Sequence, residues 1–161
     1  MEDVKTEPKK KVTFYIDGFN FYYGLKENSS KDSSWRKFYW LDFNLFFSQF
    51  LQPDEELLEI RYFTARPKNS GKMKRQNALM EVNKKLNREK FKIHYGKYQE
   101  KSVKCLGTCK ENFVTYEEKE TDVNIAVKLI EDCVFGESDK IKSGEFSCQS
   151  NRQNHSIAAD L

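Results

Sequence analysis

Val12-Thr13-Phe14-Tyr15-Ile16-Asp17-Gly18-Phe19-Asn20 is the stretch that decides the fold. Its first five residues are β-branched or aromatic and follow the basic run Lys9-Lys10-Lys11. A near-continuous apolar run of this length reads as a strand buried on both faces of a parallel sheet. The run closes on a carboxylate, Asp17, and then Gly18. A charge at the end of a buried strand is costly unless something pairs with it. In open α/β sheets, ligands gather at the carboxyl ends of the strands. Asp17 is therefore either the cap of the next helix or a site carboxylate. Asn20 can cap that helix or hold Asp17 in place.

Further along, strand and helix signals alternate, which indicates α/β architecture with a mainly parallel sheet. Lys11 to Asp17 is the first strand and Asn20 to Lys26 a short helix, with Phe21, Tyr22 and Tyr23 expected to pack on the sheet. Asn28 to Ser34 reads as a polar loop. Trp35 to Tyr39 is aromatic and basic, either core or a base-stacking surface. Asp42 to Leu51 reads as a helix ended by Pro53, and Leu57 to Ala65 as the second strand.

Lys68 to Lys90 reads as mostly one helix, with Leu79, Val82 and Leu86 as its buried stripe. Its other face carries a local excess of cations. Lys72, Lys74, Arg75 and Lys85 are the candidate phosphate contacts, against a solvated helix face as the alternative. Phe91 to Tyr95 alternates as a third strand, and His94 is expected on its surface. Val103 to Tyr116 reads as a hairpin or insertion with Gly107 at its turn. Thr121 to Phe135 is the strongest helix. Thr121 can cap it, Asp122 sits in its first turn, and Val123, Val127, Ile130 and Val134 form the expected buried stripe.

Composition sets the bounds. The chain has 161 residues, suited to one domain. Thirteen Phe and eight Tyr supply the apolar area that a core needs. A net charge of +3 is too small to establish a nucleic-acid partner by itself. There is no apolar run long enough to span a bilayer and no apolar segment near the N-terminus, so a cytoplasmic protein without a membrane partner is expected. The four cysteines lack the two close pairs of a structural zinc site, and reduced thiols are expected.

Tyr15-Ile16-Asp17-Gly18-Phe19-Asn20-Phe21-Tyr22 resembles the opening motif of the NYN domain family, PIN-like predicted ribonucleases. Glu117-Glu118-Lys119-Glu120-Thr121-Asp122-Val123-Asn124-Ile125-Ala126 resembles a second motif of that family. The stretches Trp40-Leu41-Asp42 and Tyr62-Phe63-Thr64-Ala65-Arg66-Pro67 are similar to it as well. The likeness covers roughly residues 11–135. It implies a three-layer PIN-like fold with helices on both faces, and metal-dependent cleavage of RNA phosphodiesters. By this resemblance Asp17 and Asp122 would hold Mg²⁺ or Mn²⁺, hard ions that favour oxygen ligands, and Asn20 would orient Asp17 or the phosphate. The family's third acidic motif, Ser-Gly-Asp-Ser-Asp, has no clear counterpart, since Ser143-Gly144-Glu145-Phe146 matches it only faintly. Residues 1–10 are accordingly expected as a disordered leader, 11–135 as the domain and 136–161 as a polar, poorly structured tail. Lys140 to Gly144 is expected to be too polar for a buried strand, which would leave the first strand exposed on one flank. The opposing function is an RNA-binding module without catalysis. RNA is the expected partner, and a second copy of the chain is the other candidate.

Overall fold

The computed structural model describes residues 8–104, 112–136, 138–143 and 147–149. The expected leader falls largely outside them, as do Gly107, Cys105, Cys109, Glu145 and residues 150–161. Strand β1 (Lys10–Asp17) lies at the centre of a five-stranded sheet. It pairs in parallel with β2 (Glu55–Thr64), which pairs in parallel with β3 (Phe91–Tyr95). A separate antiparallel hairpin joins β4 (Lys97–Lys104) to β5 (Asn112–Lys119). On its other flank β1 pairs in parallel with β6 (Lys140–Ser143), and β7 (Ser147–Gln149) closes that edge antiparallel. The helices are α1 (Gly18–Lys31), α2 (Phe43–Ser48), α3 (Ser70–Asn87) and α4 (Thr121–Phe135), with a 3₁₀ segment at Ser33–Trp40. The protein is α/β with a mainly parallel sheet between two helical layers.

The period of two along β1 sorts the core. Val12, Phe14 and Ile16 join Phe43, Phe47, Tyr62, Met80 and Phe91 under α1 to α3. Tyr15 points to the opposite face and joins Phe63 and Ile141 under α4. A register shift opposite Val12/Thr13 sets Leu57 and Ile60 on the same face of β2, which unbroken alternation would not do.

The loop expected at Asn28–Ser34 is instead the last turn of α1 and the start of the 3₁₀ segment. Asp32 ends α1 and caps the 3₁₀ segment, accepting from the Ser34 N–H at 2.9 Å. The stripe expected in α3 is also corrected. The buried residues there are Met80, Asn83 and Asn87, while Val82 and Leu86 are exposed. Asn83 turns inward because its amide serves backbone that the core would otherwise orphan. Its Oδ1 accepts from the Phe43 N–H at 2.9 Å, and its Nδ2 donates to Leu41 O at 3.0 Å.

The flank of β1 is not exposed, because β6 covers it. The lysines of β6 are neutralised by a carboxylate far away in sequence. Glu55 is buried, and it takes Lys140 Nζ at 3.0 Å on Oε1 and Lys142 Nζ at 2.5 Å on Oε2. Lys142 also donates to Phe50 O at 2.8 Å. Between the two lysines Ile141 points to the other face and is 1% exposed.

Helix α4 is rotated relative to the expected stripe. Ile125, Leu129 and Cys133 pack on the sheet, and Asp132 is buried. The sheet face beneath α4 is itself charged, which selects a helix face with a charge. Arg61 Nε lies 2.8 Å from Glu59 Oε1, and its Nη1 lies 2.7 Å from Asp132 Oδ2. Lys92 reaches Glu59 at 2.8 Å, and the Tyr15 hydroxyl donates to the Asp132 carboxylate. With Asp132 turned to the sheet, the buried Arg61 has a second carboxylate beside Glu59 rather than an apolar neighbour.

Candidate nucleic-acid interface

Asp17 ends β1 and caps α1. Its Oδ1 accepts from the N–H groups of Phe19 (2.8 Å) and Asn20 (3.1 Å), and its Oδ2 accepts from Asn20 Nδ2 at 3.0 Å. The cap is thus realised, and Asn20 does hold Asp17. Gly18 is required by closeness rather than by an unusual φ. A Cβ there would lie 2.8 Å from Phe63 O and would run into the Tyr62 ring.

Helix α4 runs antiparallel to β1. Tyr15 Oη donates to Lys128 O at 3.2 Å, while Thr13, earlier in β1, meets Ser138 beyond the helix at 2.6 Å. The start of α4 therefore lies at the same end of the sheet as Asp17. Asp122 is exposed in its first turn. Thr121 does not cap; it is buried inside that turn. The cap position falls to Glu120, held at φ 74° with no capping hydrogen bond from its side chain.

Both Asp17 oxygens are engaged within their own turn, and Asp122 stands exposed on another element. No group of three His, Cys, Asp or Glu side chains that could hold an ion exists among the described residues. Asp17, Asn20 and Asp122 thus share one end of the sheet without forming a ligand cluster.

Beside the Asp17 turn, a groove of about 460 Å³ opens between α1, the 3₁₀ segment and α3. Its buried lining is Tyr62, Phe43, Met80 and Gly18, and Phe19 lies beside them, partly exposed. Tyr22, Tyr23, Phe38, Tyr39 and Trp40 form the walls, and Lys26, Lys72 and Arg75 supply charge. None of its lining residues is acidic. Tyr22 packs on Tyr39 with ring centres 5.9 Å apart, and the Tyr39 hydroxyl pairs with Ser29 at 2.9 Å. Trp40 is largely exposed.

Of the four cations singled out in the sequence, Lys72 and Arg75 line this groove. Lys74 and Lys85 are exposed elsewhere on α3. Tyr22 and Tyr23 do not pack on the sheet as expected; Phe21 packs into the core cluster, against Phe43 and Phe47 of α2. The signal was available in the sequence: Phe19, Tyr23 and Lys26 recur at helical spacing and share the outward face. The aromatic 3₁₀ segment contributes no buried residue, so the core reading of Trp35 to Tyr39 is corrected.

His94 is half-buried against α4 rather than on an open surface. It stacks on Phe63 with ring centres 4.7 Å apart, and its Nε2 has no hydrogen-bond partner among the described residues. Burial, then the nearby Arg61 charge, lowers its pKa, so the ring is neutral near pH 7.

No protein-family model and no curated protein matches the chain. Among solved structures, it is similar to a protein of unknown function from Vibrio parahaemolyticus, VPA0982. The two are 17% identical over 87% of this chain and 68% of that one, with a TM-score of 0.48. Among the described residues no helix is long and apolar enough to cross a membrane.

Proposed function

We propose that this chain binds single-stranded RNA in the groove between α1 and α3, as an RNA-handling domain of the NYN type. The observation that supports this most directly is a concave surface combining aromatic rings, three cations and no carboxylate. Bases stack on exposed rings, at about 1–3 kcal/mol each, and lysine and arginine follow the phosphates. The narrow aromatic groove suits splayed bases rather than a duplex. An RNA partner accords with the cytoplasmic location expected from the sequence.

Fluorescence anisotropy with a labelled single-stranded RNA tests the reading. Trp40→Ala is expected to weaken binding about tenfold, the loss of one stacked base. Lys72→Gln combined with Arg75→Gln is expected to flatten the plot of log affinity against log salt by about 1.4, since each single-strand phosphate contact contributes about 0.7. Lys74→Gln with Lys85→Gln should leave the slope unchanged. If all three variants bind like the parent, the groove is not the RNA site.

A nuclease reading has one observation in its favour. Asp17 closes β1 directly beside Gly18 and Phe19, which line the groove. Incubating the same RNA with the chain, with and without Mn²⁺, separates the two readings. Mn²⁺-dependent cleavage abolished in Asp17→Asn would assign hydrolysis to this turn. RNA binding without cleavage would make the chain an RNA-binding module.

A further inference from the structure

We propose that α4 is the interface of a homodimer in which two copies pair antiparallel along Val123, Val127, Ile130 and Val134. These side chains are 62%, 59%, 62% and 52% exposed, on the side of the helix opposite Ile125, Leu129 and Asp132, which pack on the sheet. Their spacing of four, three and four residues is that of an a/d seam, which keeps apolar side chains facing a partner helix. β-Branched residues have little side-chain freedom left to lose in a helix, so the cost of ordering them at an interface is low.

The seam is complementary to itself. In an antiparallel pair centred between Lys128 and Leu129, Val123 meets the partner's Val134 and Val127 meets the partner's Ile130. Each contact occurs twice, as a two-fold axis requires. On one flank Ala126 lies toward the partner's Cys133, where the small alanine allows close approach, and on the other Glu131 lies toward the partner's Asn124, its charge already paired with Lys128 at 2.9 Å. Phe135, also highly exposed, falls beside the partner's first turn. With Phe135, these side chains expose on the order of 600 Å² per copy, so complete burial on pairing would reach at most about 1,200 Å² in total, the lower edge of specific interfaces. A second copy fits this surface better than RNA does, because no lysine or arginine lies on the seam.

Sedimentation equilibrium on the full chain tests this. A monomer–dimer equilibrium with a micromolar dissociation constant is expected. Val127→Glu and Ile130→Lys should each leave a monomer with an unchanged circular dichroism spectrum, since both positions face outward. Mixing the two variants should restore a dimer, because the introduced carboxylate of one copy then meets the introduced ammonium of the other. A parent chain that stays monomeric at high micromolar concentration overturns the proposal. So does a dimer indifferent to Val127→Glu, or a mixture that fails to re-associate.

Discussion

Glu55→Gln is expected to destabilise the protein by about 3 kcal/mol, because it strips the shared carboxylate from two lysines held in the sheet. Glu55 is nearly inaccessible, and Lys140 and Lys142 both converge on it. Glutamine keeps the shape and cannot balance the two charges. Burial pushes the Glu55 carboxyl up, but hydrogen bonds from Lys142, the Gln52 N–H and Lys140 outweigh it and hold the pKa down to about 2, against an ordinary 4.5. A folded-state value below the unfolded one stabilises above the unfolded pKa and is lost as pH falls toward the folded pKa. The contribution is therefore complete above about pH 5 and disappears between there and pH 2. By this linkage it amounts to about 3 kcal/mol, the size of the loss expected for Glu55→Gln. Glu27, Asp32, Asp54 and Glu131 are also lowered, but they are exposed and screened. Urea unfolding of parent and variant from pH 2 to 7 is the measurement. The gap between the two should close on acidification; parallel curves would show that Glu55 is not the linked group.

Asp132→Leu is expected to cost about 4 kcal/mol, the larger part from Arg61. Asp132 is buried, within 2.7 Å of Arg61 and 3.5 Å of Lys128, and accepts the Tyr15 hydroxyl. Burial first, and then that hydrogen bond, push the Tyr15 pKa up, so the phenol stays a donor at any ordinary pH. Without the carboxylate, Arg61 retains Glu59, which it shares with Lys92. Adding Arg61→Met to Asp132→Leu should recover about half of the loss, since no uncompensated charge then remains under α4. Chemical unfolding of the two single variants and the double variant gives the coupling directly. Strictly additive losses, or a single-variant loss below about 1 kcal/mol, would contradict a buried pair.

These two networks also mark where the sequence stops being legible. Strands β1, β2 and β3 could be read because burial on one or both faces writes apolar residues into local sequence. The limits of α4 could be read for the same reason. Its orientation could not, because apolar spacing assumes an apolar neighbour, and here the sheet presents Arg61, Glu59 and the Tyr15 hydroxyl. Asn83 in α3 escaped for a related reason: its partners, Leu41 and Phe43, lie about forty residues away. Strand β6 looked too polar because its compensating carboxylate belongs to β2. At the candidate site, Asp17 and its hold by Asn20 were local and legible. The groove was not, since it forms only where α1, the 3₁₀ segment and α3 meet.

The placement of β1 has a consequence for how the chain is made. The central strand leaves the ribosome well before its second neighbour, which begins at Lys140. At about 5–20 residues per second, β1 waits on the order of 6–25 s for that partner. Through this interval its flank, carrying Thr13 and Tyr15, offers unpaired backbone to any other extended chain nearby. Pairings so distant in sequence are also slow to close after synthesis, because loop entropy is lost before contacts reward it. A nascent chain of this protein is therefore a natural client for a chaperone that shields strand edges, until Ile141 seats beside Tyr15 and Phe63.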